Sequence, residues 1–120
     1  LNNHRWDISG VIGIVGYAEG VIVIRLTRTL AFKLVKEMGM NPETPEEIND
    51  LINGMVSEFA NIISGNAINM ITDKKVDITV PITIQGNNHT ISWPQKGSII
   101  GIPFHTPYGP FEMQINISTS

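Results

Sequence analysis

From Thr44 onward, apolar side chains recur at Ile48, Leu51, Ile52, Met55, Val56, Phe59, Ile62 and Ile63, a stripe without a gap. That spacing fits one face of a single long helix. Its start is written locally. Thr44 can cap, Pro45 takes the first helical position where a missing N–H costs nothing, and Glu47 stands at the third, completing a capping box. The helix is expected to run past Gly65 through Ile68 and Ile71 and to fade at Asp73-Lys74-Lys75. A stripe of this length has to be buried against another layer.

The rest of the chain supplies strands for that layer. DISGVIGIVG (7–16) and GVIVIRL (20–26) are rich in Val and Ile, and Tyr17-Ala18-Glu19 between glycines makes a hairpin turn. A shorter helix follows in TRTLAFKLVKEMG. Thr27 or Thr29 is its N-cap, Leu30, Leu34, Val35 and Met38 share a face, and Gly39 suits the residue past its end. After the long helix come DITVPITIQG, a short strand at HTISW, SIIGIPFHT and FEMQINIS, with TPYGP (106–110) turning between the last two. Pro81 and Pro103 call for edge positions or bulges. The order is two strands, two helices, then three or four strands. It predicts an α+β fold, a largely antiparallel or mixed sheet with the two main helices packed on one face.

At 120 residues the chain is expected to be one domain over 1–120 with one modest core. A net charge of −3 leaves no basic footprint for nucleic acid or an anionic membrane. The chain has no cysteine, which excludes disulfides and thiolate metal sites and fits a reducing, cytoplasmic setting. The longest apolar runs, such as VIVI, are too short to span a bilayer, and no signal peptide opens the sequence. Two glycosylation sequons, Asn88-His89-Thr90 and Asn116-Ile117-Ser118, are read as chance.

Several motifs have ordinary explanations. GVIGIVG spaces its glycines inside a strand, whereas a dinucleotide fingerprint needs them opening a helix. His4, His89 and His105 are scattered, with no partner at metal-ligand spacing. Ser57, Ser64 and Ser92 lack a nucleophile-elbow context. Projected at about 100° per residue, Glu47, Asp50, Gly54, Glu58 and Asn61 fall on the flank and face away from the apolar stripe. Glu58 and Asn61 are then neighbours one turn apart, pointing outward. Gly54, mid-helix, costs about 1 kcal/mol relative to alanine and clears a dent beside the pair. A locally unfavourable residue next to an acid–amide pair is what a functional site looks like. Spacing alone does not decide, because Glu46 and Asn49 repeat it where capping explains the acid.

The fuller string SEFANIISGNA, read as E-x-x-N-x-x-x-G on a long helix, resembles the signature of the CheX-like chemotaxis phosphatases, part of the CheC/CheX/FliY family. The surrounding order is similar too, from the DISGVIG strand and GVIVI through both helices to DITVPITIQG and FEMQINIS. The resemblance covers nearly the whole chain. It implies removal of the phosphoryl group from the aspartate of a phosphorylated CheY-like response regulator, with Glu58 as the acid and Asn61 as the amide of the catalytic pair. Asp50, Gly54 and Ser57 would then touch the partner. It also implies a homodimer, since the motif occurs once. No cofactor would be bound by this chain, the Mg2+ ion belonging to the phosphorylated partner.

Two departures accompany the resemblance. Many members carry Asp or Ser where this chain has Gly54, a difference from the CheC version more than from CheX. Members also open with a helix that LNNHRW cannot form, so the expected domain lacks it. The alternative function is a non-catalytic binding or assembly module for a receiver or flagellar switch protein on the same scaffold.

Overall fold

The computed structural model describes residues 6–71, 76–86 and 99–119. Its β-branched segments pair as one antiparallel sheet. β1 (Ile8–Gly16) and β2 (Ala18–Leu26) form a hairpin in register from Ile8 opposite Leu26 to Ile14 opposite Gly20. The expected three-residue turn is shorter, because Ala18 and Glu19 already belong to β2. The last strand draws them in, with Ala18 opposite Thr119 and Glu19 opposite Ser118. A positive φ of 110° at Gly16 makes the sharp reversal there.

After β2 the chain leaves the sheet for two helices, α1 (Arg28–Glu37) and α2 (Pro45–Ile71). It returns as β3 (Val76–Ile78), β4 (Ile82–Gln85), β5 (Ile100–Thr106) and β6 (Gly109–Thr119). The sheet order is β3-β1-β2-β6-β5, and β4 also pairs with β1. Every described pairing is antiparallel. DITVPITIQG is therefore one edge strand in two pieces, interrupted at Thr79-Val80-Pro81. Pro81 has no N–H for the ladder. Thr79 holds the break in place: its N–H donates to the Gly13 carbonyl at 3.0 Å, and its hydroxyl accepts from the Gly13 N–H at 2.8 Å. Pro103 lies in β5, at the other end of the described sheet. The TPYGP turn is closed by Thr106, whose hydroxyl accepts from the Tyr108 N–H and donates to the Gly109 carbonyl. The segment HTISW lies outside the described residues.

Thr27 caps α1 by accepting from the Leu30 N–H at 3.1 Å. The helix ends in a Schellman motif. Gly39 adopts φ +83°, its N–H reaches the Lys36 carbonyl, and the Met40 N–H reaches Val35. Met38, expected on the buried face, is 57 % exposed because it is the cap, one residue past α1, where the chain turns away from the core. Thr44 caps α2 through the Glu47 N–H at 3.2 Å. The Glu47 carboxylate bonds one residue further back than a standard box, at the Glu43 N–H.

Both helices cover one face of the sheet, and a single core forms between them. Ile12, Ile22 and Ile24 from the strands meet Leu30 and Val35 of α1 and Ile52 and Val56 of α2, all with at most 1 % exposure. α2 lies directly on β1 at Gly10, where an added Cβ would stand 3.0 Å from the Ala60 Cβ and 3.1 Å from a Val56 methyl. That close seam rotates the buried centre of α2 toward Val56 and Ala60 and leaves Phe59 half-buried. Phe59 packs edge-on against Phe111 of β6 at 5.3 Å, and Phe111 stacks on Phe104 of β5. Ile62, assigned from the pattern to the core, is 53 % exposed. Asn116 is buried within β6, so its sequon is no surface acceptor.

Candidate functional site

The seam with β1 fixes the rotation of α2 and thereby decides what faces outward. Glu47, Asp50, Gly54, Glu58, Asn61 and Gly65 fall within an arc of about 80° on the helix, at about 1.5 Å rise per residue. Glu58 and Asn61 are both exposed, three positions apart, with Gly54 four before Glu58 and Gly65 four after Asn61. Among the described residues neither side chain of the pair has a hydrogen-bond or ionic partner. An added Cβ would meet nothing within 4 Å at Gly54 and nothing at Gly65. The pair thus stands on an open ridge with headroom at both ends. Phe59, adjacent to Glu58 in sequence, anchors that turn of the helix to β6 and keeps the ridge in place.

A groove runs beside this ridge where α1 meets α2. It encloses about 220 Å³. Met38, Met40, Leu51 and Met55 line it with Val35, and Asp50, Gly54 and Glu58 form its other side. Sequence reasoning placed Asp50 and Gly54 correctly on the outward face but did not find the groove. Its α1 half comes from residues that the helical pattern of α2 does not contain.

Ser57 lies elsewhere. Its hydroxyl shares a hydrogen bond of 2.9 Å with the Thr83 hydroxyl of β4, and the residue is half-buried. It belongs to a polar seam in which Asn49, Asn53 and Ser57, four residues apart, face β4. Gln85 donates to the Asn53 side chain at 2.8 Å, while the Arg28 guanidinium donates to Gln85 at 2.6 Å and to the Asn49 side chain. Arg28, Asn49, Asn53 and Gln85, with Asp7, Thr83 and Gly86, line a hollow of about 400 Å³. Its polar groups bond to one another and hold the β4 edge to α2. Ser57 therefore contributes to the seam between α2 and β4, to one side of the ridge that carries Glu58 and Asn61.

Ser64 is fully buried and His105 is exposed on β5, so neither joins the ridge. Among the described residues no group of three or more His, Cys, Asp or Glu side chains could hold a metal ion. No described helix is long and apolar enough to cross a membrane.

The chain matches known proteins over almost all of its length. The family profile described as Chemotaxis phosphatase CheX matches residues 8–105. The chemotaxis protein CheX from Vibrio vulnificus is similar in structure with a TM-score of 0.80 and 32 % identity, over 96 % of this chain and 78 % of that one. A CheC-like superfamily protein from Shewanella sp. PV-4 gives a TM-score of 0.79 and 33 % identity, over 98 % and 77 %. The CheX–CheY–BeF3–Mg2+ complex from Borrelia burgdorferi also gives 0.79, at 27 % identity, over 98 % and 79 %. Comparison with curated proteins gave no match. The profile spans well over half of the sequence, and the antiparallel sheet with its helix pair matches the solved structures: the chain belongs to the CheX family of chemotaxis phosphatases.

Proposed function

We propose that the protein removes the phosphoryl group from the phosphoaspartate of a CheY-like receiver domain, using Asn61 and Glu58. The observation that carries this reading is the exposed pair with no partner among the described residues, flanked by two glycines at which an added Cβ would meet nothing within 4 Å among them. A helix ridge of this kind can enter another protein's cleft. The Borrelia relative is similar over 98 % of this chain, and its structure is a complex with CheY.

The chemistry asks little of the helix. An acyl phosphate is already reactive, and its transfer passes through a loose transition state with little need for a strong base. The Asn61 carboxamide can accept a hydrogen bond from a water and donate one toward the phosphoryl oxygens, holding the water in line. The water oxygen bonds to phosphorus as the bond from phosphorus to the aspartyl oxygen breaks. Inorganic phosphate and a free receiver carboxylate result. Glu58 need not change protonation. Its carboxylate pairs with a lysine beside the phosphoaspartate and fixes the docked geometry. The divalent ion that neutralises phosphoryl charge is the receiver's.

A homodimer is part of this reading. The motif occurs once, and β5, which has one neighbour among the described strands, exposes Ile100 and Phe104. Sedimentation tests that part separately.

The deciding experiment follows phosphate release from a phosphorylated CheY-like receiver with the wild-type chain, with Asn61→Ala and with Glu58→Gln. Acceleration by wild type that Asn61→Ala abolishes is the expected result. Binding without acceleration by wild type would overturn it in favour of a non-catalytic binding or assembly module.

A further inference from the structure

We infer that the groove between α1 and α2 is the second half of the docking surface, and that it takes an apolar side chain of the receiver flanked by a lysine or arginine. Its role rests on the phosphatase reading above. Three features determine the occupant. The rim carries Asp50 and Glu58, while no lining residue is basic. Of the bases of α1, Lys33 and Lys36 line a different hollow with Phe32 and Tyr108, and Arg28 faces the seam with β4. A carboxylate-rimmed slot attracts a cation and repels an acidic surface, so charge selects a basic partner segment.

The floor calls for an apolar contact. Met38 and Met40 are 57 % and 37 % exposed, on either side of the left-handed Gly39, and Met55 faces them from α2. Methionine is flexible and polarisable, suited to a surface that must adapt to a side chain from another protein. The groove is continuous with the proposed catalytic ridge because Glu58 belongs to both. A receiver engaged at Asn61 must therefore pass over it.

Gly54 sits midway between the two carboxylates, four residues from each. A Cβ added there would meet no atom of the described residues within 4 Å beyond its chain neighbours and its own helix backbone. Glycine within a helix is unfavourable by about 1 kcal/mol relative to alanine. No packing contact among the described residues explains that cost, and the groove reading does: the space admits an atom of the receiver.

The test uses Asp50→Lys and Gly54→Leu in the full chain. The first is an exposed charge reversal, and the second adds a better helix former, so both are expected to fold. Each is titrated with the beryllofluoride-activated receiver and assayed for phosphate release across receiver concentration. Both should raise Kd and KM roughly tenfold or more and change kcat much less. Wild-type Kd and KM in both variants would overturn the groove while leaving the phosphatase reading intact. Loss of self-association with an unchanged receiver Kd would also overturn it, making the groove an interface between copies. Wild type that binds the receiver without releasing phosphate would refute the phosphatase reading, and the Kd values would still decide the groove.

Discussion

A methyl group added at Gly10 would come within 3.0 Å of the Ala60 Cβ, while one added at Gly54 would meet nothing within 4 Å. Both glycines lie on elements that build the same layer contact. Gly10 is where β1 lets α2 approach, and its missing side chain is explained by packing inside the chain. Gly54 is on the far side of α2 and has no such explanation. On the proposed function, the inner seam and the outer ridge of one helix answer to different demands, the first to folding and the second to the receiver. Substitutions that separate the two test this directly.

The largest separation is expected at Asn61. Asn61→Ala should lower phosphatase activity by about a hundredfold, the size of effect expected when a reacting water loses its alignment. Unfolding stability should stay within about 0.5 kcal/mol, because the side chain is exposed and touches no described partner. Denaturant unfolding alongside the activity assay checks both. A clear fall in stability would mean that the ridge is part of the fold, and the comparison would break.

The reverse pattern belongs to Gly10. Gly10→Val inserts branched carbon into a contact already at 3.0–3.1 Å. Overpacking of this kind costs about 2 kcal/mol. A drop in the urea midpoint should appear, with any loss of activity following the folded fraction. Gln85→Ala should cost about 1 kcal/mol, since it removes the link between Arg28 and Asn53 along the β4 edge. A cost near zero would mean that the polar seam is filled by water as readily as by glutamine.

What the sequence could reveal divides along the same line. The caps at Thr27 and Thr44, the stop at Gly39 and the turn at Thr106 are local: each hydrogen bond joins residues within a few positions. The outward direction of Glu58 and Asn61 was equally legible, because it follows from helical spacing against the apolar stripe. Contacts with distant partners were not legible. Ser57 meets Thr83 of β4, and Asn53 meets Gln85 of the same strand. Ile62 fits the stripe but stays exposed, because α1 ends at Glu37 and the close seam at Gly10 turns α2 toward Val56 and Ala60. The groove needed Met38 and Met40 brought beside Leu51 and Met55, a juxtaposition no spacing rule within one helix expresses.

The smallest effect is the most discriminating. Gly54→Ala adds one carbon into open space and replaces a poor helix former with the best one. It should raise stability by about 0.5–1 kcal/mol, partly by restricting the unfolded chain. In a helix shaped only by folding, a substitution that stabilises and clashes with nothing is a plain gain. On this ridge the same carbon enters the space between Asp50 and Glu58, so the more stable protein should bind its receiver less well. Thermal unfolding and receiver titration on the one variant read the two demands separately. If stability rises and affinity is untouched, Gly54 is a tolerated flaw in the helix, and the contrast with Gly10 carries no functional meaning. If stability falls, the helix at Gly54 is held by a contact within the chain, and the open ridge is not open.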